Sequence, residues 1–145
     1  MKGEARLAAA ALDHVGIGVA SPEGHPLVEA LGGVVAGTLM PIGVMVGRFG
    51  HGQAFELVWP GRAGTPIDRF LERRGAGLHH IALVVREPLG PLAERLLAAG
   101  LGPIGEIETS SDGRPSLFLH PSTTGGVLVE LVESAVEDAA HSPPS

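Results

Sequence analysis

The sequence predicts an α+β fold built from two tandem βαβββ modules, and three observations carry that prediction. Two strand-like segments open on histidine, Asp13-His14-Val15-Gly16-Ile17-Gly18-Val19 and His79-His80-Ile81-Ala82-Leu83-Val84-Val85. Two others embed a glutamate among apolar residues, Phe55-Glu56-Leu57-Val58 and Val129-Glu130-Leu131-Val132. His80 follows His14 by 66 residues (80 − 14) and Glu130 follows Glu56 by 74 (130 − 56), so the chain repeats in the same order at nearly the same spacing. Finally, 22 Gly and 12 Pro among 145 residues are too many for a helical bundle and suit short strands joined by turns.

The elements follow in order. The first strand runs through Asp13–Val19, and a short helix is expected over Pro22–Leu31, with Leu27, Val28 and Leu31 apolar and Gly32-Gly33 as its stop. Strands at Val34-Val35, Gly43–Phe49 and Ala54–Trp59 complete a module spanning about residues 11–60. Thr65-Pro66-Ile67-Asp68 predicts a linker helix over about 65–74, with Thr65 as N-cap and Pro66 in its first position. The second module, about 76–134, opens with the His79-His80 strand. Its helix, Pro88–Ala99, carries Leu89, Leu92, Leu96 and Leu97 at helical spacing and ends at Gly100. Strands at Gly102–Ile107, Ser116–His120 and Val127–Val132 complete it. A single domain is thus expected over 11–134, with flexible tails at 1–10 and 135–145.

Composition narrows the function. A chain of this length buries roughly two thirds of its unfolded surface and needs no disulfide staples. With 44% hydrophobic residues and a mean hydropathy of +0.26, it is not a mainly disordered protein. No apolar run approaches a membrane span, and the stretch Leu7–Leu12 lacks the flanks of a signal peptide. Zero Cys excludes thiolate metal sites and thiol nucleophiles. A net charge of −6, with four Phe, one Trp and no Tyr, argues against nucleic acid as a partner.

A Glu in the middle of an apolar strand is costly to bury unless a cation meets it. Taken singly, a strand His is ordinarily a hydrogen-bonded core residue, and a Glu in such a strand ordinarily faces solvent. The paired recurrence favours a joint reading. If the halves pack about a pseudo-two-fold axis, His14, Glu56, His80 and Glu130 converge, and two imidazoles with two carboxylates suit Mn, Co, Ni, Zn or Mg. Four protein ligands in an octahedral field leave two positions open, as a catalytic site requires. His79 should point to the opposite sheet face from His80 and act structurally. His25 and His141 read as solvent residues, His51 as part of a turn, and His120 as a strand-end residue that lines the site or shapes the turn. Gly16-Ile17-Gly18 lacks the third Gly and long helix of a dinucleotide fingerprint.

The segments LDHVGIGV (12–19), FELVWP (55–60), TPIDRFLERRGAGLHHIALVV (65–85) and DGRPSLFLHPSTTGGVLVELVE (112–133) resemble the vicinal oxygen chelate superfamily, and within it the methylmalonyl-CoA epimerase family. The resemblance implies an open, cupped β-sheet barrel with a divalent metal held by His14, Glu56, His80 and Glu130. It implies a metal-dependent epimerase that interconverts the 2R and 2S forms of methylmalonyl-CoA, or a close acyl-CoA, through an enolate. Glu130 is then the base on one face of the α-carbon, with Glu56 or a water serving the other. Arg114, His120 and Ser122 are the expected substrate contacts, Ser122 standing where the family usually has Lys, and Val46 standing where some members carry a second catalytic Glu. Arg48, Arg62 and Arg86 are further candidates for a positive rim facing the anionic CoA. A cytoplasmic homodimer without membrane or nucleic-acid partners is expected. The alternatives are a glyoxalase I-like lyase or isomerase acting on a thiol adduct, and a metal-free small-molecule-binding protein of the same fold.

Overall fold

A computed structural model describes residues 7, 10–32 and 35–135. The expected tails fall almost wholly outside these residues, as do His141 and Val34, half of one expected strand. The elements are β1 (Ala11–Gly18), α1 (Pro26–Leu31), β2 (Thr38–Leu39), β3 (Val44–Phe49), β4 (Phe55–Pro60), α2 (Pro66–Arg74), β5 (Gly77–Val85), α3 (Leu89–Ala98), β6 (Pro103–Thr109), β7 (Pro115–Leu119) and β8 (Val129–Glu133). Single turns of 3-10 helix lie at His51–Gln53 and Pro121–Thr123. The α+β class and the twice-repeated βαβββ order are those expected.

Two elements of the first module differ from expectation. The first helix begins at Pro26, not Pro22, because a residue before proline is pushed out of the helical region. His25 accordingly sits at φ −67°, ψ 126°, and its Nδ1 accepts a hydrogen bond from the Leu27 N–H at 3.2 Å. His25 is thus the N-cap rather than an idle surface residue. The second strand lies at Thr38–Leu39, beyond Val35, pairing Thr38 with Val46 and Leu39 with Met45.

The chain divides into two compact units, one formed by His14–His80 and the other by the segments on either side of it. The division falls inside β1 and β5 rather than at the expected linker, and α2 belongs to the His14–His80 unit. Ile67 of α2 packs with Val44 and Val58, and Phe70 and Leu71 lie against the same cluster, so the linker helix is part of a core. Within this unit the strands run in the order β2-β3-β4-β1. β1 and β4 are parallel, with Gly16 opposite Glu56 and Gly18 opposite Val58. β3 and β4 are antiparallel, with Arg48 opposite Glu56 and Val46 opposite Val58. Strand alternation then sorts the side chains. One face carries Val19, Phe49, Leu57 and Trp59, with Val28 of α1 packed against them. The other carries His14, Glu56, Arg48 and the surface that α2 covers. The helix comes very close there, since a Cβ on Gly18 would lie 2.7 Å from Phe70 Cε1.

The second unit repeats the plan in the order β5-β8-β7-β6. β5 and β8 are parallel, with Ala82 opposite Glu130, and β7 and β8 antiparallel, with Phe118 opposite Glu130. Leu89, Leu92 and Leu96 of α3 are fully buried against Val85, Leu117, Leu119, Val129 and Leu131. Leu97, expected on that apolar stripe, is instead 61% exposed, one residue round the helix from Leu96.

The start of α2 is fixed by Thr65, only 1% exposed. Its N–H and hydroxyl both donate to Asp68 Oδ2, at 2.7 and 2.8 Å, and these bonds hold the Asp68 carboxyl below its usual range. Thr65→Ala should therefore lower the unfolding free energy by about 1–2 kcal/mol in urea denaturation, and Thr65→Ser by less.

Candidate metal centre

Three of the four residues expected to hold a metal come together within the His14–His80 unit. His14 Nε2 and His80 Nε2 are 3.2 Å apart, their rings edge to face with centroids 5.3 Å apart. Glu56 Oε1 lies 3.6 Å from His14 Nε2 and 3.7 Å from His80 Nε2. All three are buried, at 2%, 4% and 6% exposure. The acid is too far from either imidazole for a direct hydrogen bond, yet the three atoms lie within 3.7 Å of one another. An ion with bonds of about 2.1 Å to two cis ligands sets those ligands roughly 3.0–3.4 Å apart, which matches the imidazole pair. Two nitrogens and a carboxylate oxygen suit a divalent first-row ion or Mg. A His-His-Glu group able to bind a metal is therefore present.

Each of these side chains is placed by its strand and secured by a neighbour. His14 and Gly16 lie on one face of β1, and Gly16 leaves the space that the His80 ring fills: a Cβ there would stand 2.1 Å from His80 Cε1. The Gly16-Ile17-Gly18 run that resembles a dinucleotide fragment thus has two steric duties, one glycine admitting His80 and the other admitting α2. His79 does not simply point away. Its Nδ1 is 2.8 Å from His80 Nδ1, and its ring stands edge-on to Phe70 with centroids 4.9 Å apart. Because Nδ1 lies close to the main chain, adjacent imidazoles of one strand can meet along their edges. When His80 Nδ1–H donates to His79 Nδ1, His80 Nε2 carries the free lone pair, the arrangement a metal-ligating His needs. Arg48 is the residue that sequence reasoning misplaced. Expected on an outer rim, it is largely buried, and its Nε lies 3.4 Å from Glu56 Oε2. The signal was available only through register, since Arg48 stands directly opposite Glu56 across the β3–β4 pair.

Glu130 belongs to the other unit, buried in the middle of β8 at 7% exposure. It is flanked by Ala82 on β5 and Phe118 on β7. The expected substrate contacts also lie in that unit. Arg114 forms a two-pronged pair with Asp13, Nη1 to Oδ1 at 2.9 Å and Nη2 to Oδ2 at 3.0 Å, and its Nε donates to Asp112 Oδ2 at 2.9 Å. Arg114, expected as a substrate contact, is thus engaged by two carboxylates of its own unit. Burial opposes the charge on Asp112, but hydrogen bonds from Arg114 and Ser110 bring its carboxyl down to about 2. His120 and Ser122 are exposed and bonded to each other: the Ser122 N–H donates to His120 Nδ1 at 3.1 Å, and Ser122 Oγ lies 2.8 Å from the same atom. His120 thereby caps the 3-10 turn at Pro121.

No protein-family model matches the chain. It is 43% identical over 79 residues to the ethylmalonyl-CoA/methylmalonyl-CoA epimerase of Cereibacter sphaeroides, across 52% of this chain and 58% of that protein. The chain thus spans little more than half of that relative. It is 34% identical over 131 residues to the uncharacterized protein YqjC of Bacillus subtilis, across 84% of this chain and 91% of YqjC. The crystal structure of methylmalonyl-CoA epimerase from Mycobacterium tuberculosis superposes with a TM-score of 0.76 at 29% identity, covering 96% of this chain and 99% of that one. A methylmalonyl-CoA epimerase in complex with methylmalonyl-CoA and NH4+ superposes with a TM-score of 0.74 at 27% identity, covering 90% and 97%. The fold is therefore that of the solved epimerases.

Two outcomes follow from this geometry. Gly16→Ala should displace the His80 ring, weakening Co(II) binding by calorimetry at least about tenfold while costing about 1–3 kcal/mol of stability. The Asp112 carboxyl is lowered from 3.8 to about 2 on folding. Its contribution to stability is therefore full above about pH 4 and lost as pH falls through about 2, and Asp112→Asn should flatten that part of the acid-unfolding curve.

Proposed function

The chain belongs to the methylmalonyl-CoA epimerase family of the vicinal oxygen chelate superfamily, and from that premise we propose that it interconverts the 2R and 2S forms of methylmalonyl-CoA, or of a close acyl-CoA, in a metal-dependent reaction. The observation that carries the proposal is the buried His14–Glu56–His80 set together with the register of its repeat. Glu56 stands opposite Gly16, two residues after His14, and Glu130 stands opposite Ala82, two residues after His80. The same placement in both halves supports Glu130 as the fourth ligand. The complex of one solved relative with methylmalonyl-CoA supports an acyl-CoA substrate.

The chemistry needs such a site. An α-proton beside a thioester is too weakly acidic for a carboxylate base acting alone, and a divalent ion held here would supply positive charge to the oxygen as the enolate forms. His14, His80 and Glu56 orient the acyl group by fixing where that charge sits. Glu130, as the carboxylate, takes the α-proton from one face, and Glu56 or a water returns a proton to the other face, so the reaction releases no net proton. Arg114, His120 and Ser122 are retained as substrate contacts, with Arg114 acting only as part of its Asp13–Asp112 cluster. The proposal extends to a homodimer working in the cytoplasm. No helix among the described residues is long and apolar enough to cross a membrane.

The test is proton exchange. Protein loaded with Co or Mn and incubated with methylmalonyl-CoA in deuterated water should wash out the α-proton, read by NMR. An unchanged α-proton alongside conversion of a hemithioacetal moves the function to a glyoxalase-type lyase. Glu130→Gln should cut turnover at least about 100-fold with metal retained; normal turnover at normal metal content sinks the assignment of Glu130 as base.

A further inference from the structure

The two glutamates occupy equivalent positions in the repeat but have different neighbours. Opposite Glu56 on β3 stands Arg48; opposite Glu130 on β7 stands Phe118. In the first unit the two carboxylate oxygens are divided between two partners. Oε1 faces the imidazole pair, 3.6 and 3.7 Å from the two Nε2 atoms, and Oε2 faces the guanidinium, 3.4 Å from Arg48 Nε. Both side chains are withdrawn from solvent, Arg48 at 16% and Glu56 at 8% side-chain exposure, so water screens this contact weakly.

We propose that Arg48 is a positioning residue that draws Oε2 of Glu56 away from the imidazole pair, so that Glu56 ligates a divalent ion through Oε1 alone and leaves a coordination position for the substrate. A carboxylate beside a metal can bind through one oxygen or two, and a second oxygen would occupy a position that the acyl group needs. Arg48 opposes this by charge, since its guanidinium, 3.4 Å from Oε2 and largely withdrawn from solvent, attracts that oxygen. Phe118 offers Glu130 no such donor. The repeat therefore places different side chains opposite its two acids, Arg48 beside Glu56 and Phe118 beside Glu130. The inference rests on the metal reading above and deepens it.

Substitution of Arg48 combined with Co(II) spectroscopy tests this without reference to any substrate. Wild-type protein and Arg48→Gln are titrated with Co(II), and the visible absorption band and the dissociation constant are recorded. With Oε2 released to the metal, Arg48→Gln should bind Co(II) more tightly, by about tenfold, with the band weakened towards that of a higher coordination number. Its KM for methylmalonyl-CoA should rise more than its kcat falls. Arg48→Lys, which keeps a cation on Oε2, should retain the wild-type spectrum. Glu56→Gln should weaken Co(II) binding at least about tenfold more in the wild-type background than in Arg48→Gln, because the amide would meet the guanidinium donor to donor. Identical spectra and affinities for wild type and Arg48→Gln, a spectrum moved equally by Lys and Gln, or additive effects of the two substitutions would each overturn the inference while leaving the metal reading intact. Failure of the wild-type protein to bind Co(II) at all would overturn both.

Discussion

Everything at the centre of this protein depends on placing an acidic side chain inside an apolar strand. Glu56 is 6% exposed between Phe55 and Leu57, and Leu57 is fully buried. Desolvating such a group without compensation costs several kcal/mol. The first unit answers with three nitrogen-bearing side chains, His14, His80 and Arg48, each on a different strand. β4 supplies none of them itself, because the next residue on the same face as Glu56 is the apolar Val58. The parallel pairing of β1 with β4, the antiparallel pairing of β3 with β4 and the return of the chain through α2 to β5 are what deliver them. The topology thus solves an electrostatic problem that the sequence of β4 creates.

The repeat shows which parts of that solution are structural and which have diverged. Both halves keep the His, the small residue two positions later and the Glu opposite it. The small residue is Gly16 in one half, where the His80 ring leaves no space for a methyl group, and Ala82 in the other. The antiparallel neighbour of the Glu has diverged further, to Arg48 and Phe118.

Much of this was legible in the sequence, and what was not has a common cause. The βαβββ repeat, the linker helix with its Thr65 cap, the α3 stripe of Leu89, Leu92 and Leu96 and the strands bearing His14, Glu56, His80 and Glu130 all follow from periodicity and from residues with strong local preferences. The start of α1 was misread because Pro22 and Pro26 are both acceptable first residues, and only the capping of Leu27 by His25 separates them. Leu97 was misread because a strip of four leucines is wider than the face that α3 buries. The partners of Arg48 and Arg114 could not be read at all. Arg48 pairs across a strand register and Arg114 reaches Asp13 over 101 residues, and neither relation leaves a mark in local composition.

Placing the donors on strand interiors rather than loops also decides how rigid the centre can be. A sheet position is fixed by hydrogen bonds on both sides, and its side chain by the cross-strand neighbours that flank it. Here those neighbours are themselves constrained. His80 is wedged against Gly16 and joined to His79, which rests on Phe70; Phe70 belongs to a helix whose first turn is locked by Thr65 and Asp68. A disturbance at the helix cap therefore has a short physical route to the imidazole, through Phe70 and His79. The buried acid, costly in isolation, becomes tolerable because nitrogen-bearing side chains surround it and are themselves in contact with further residues.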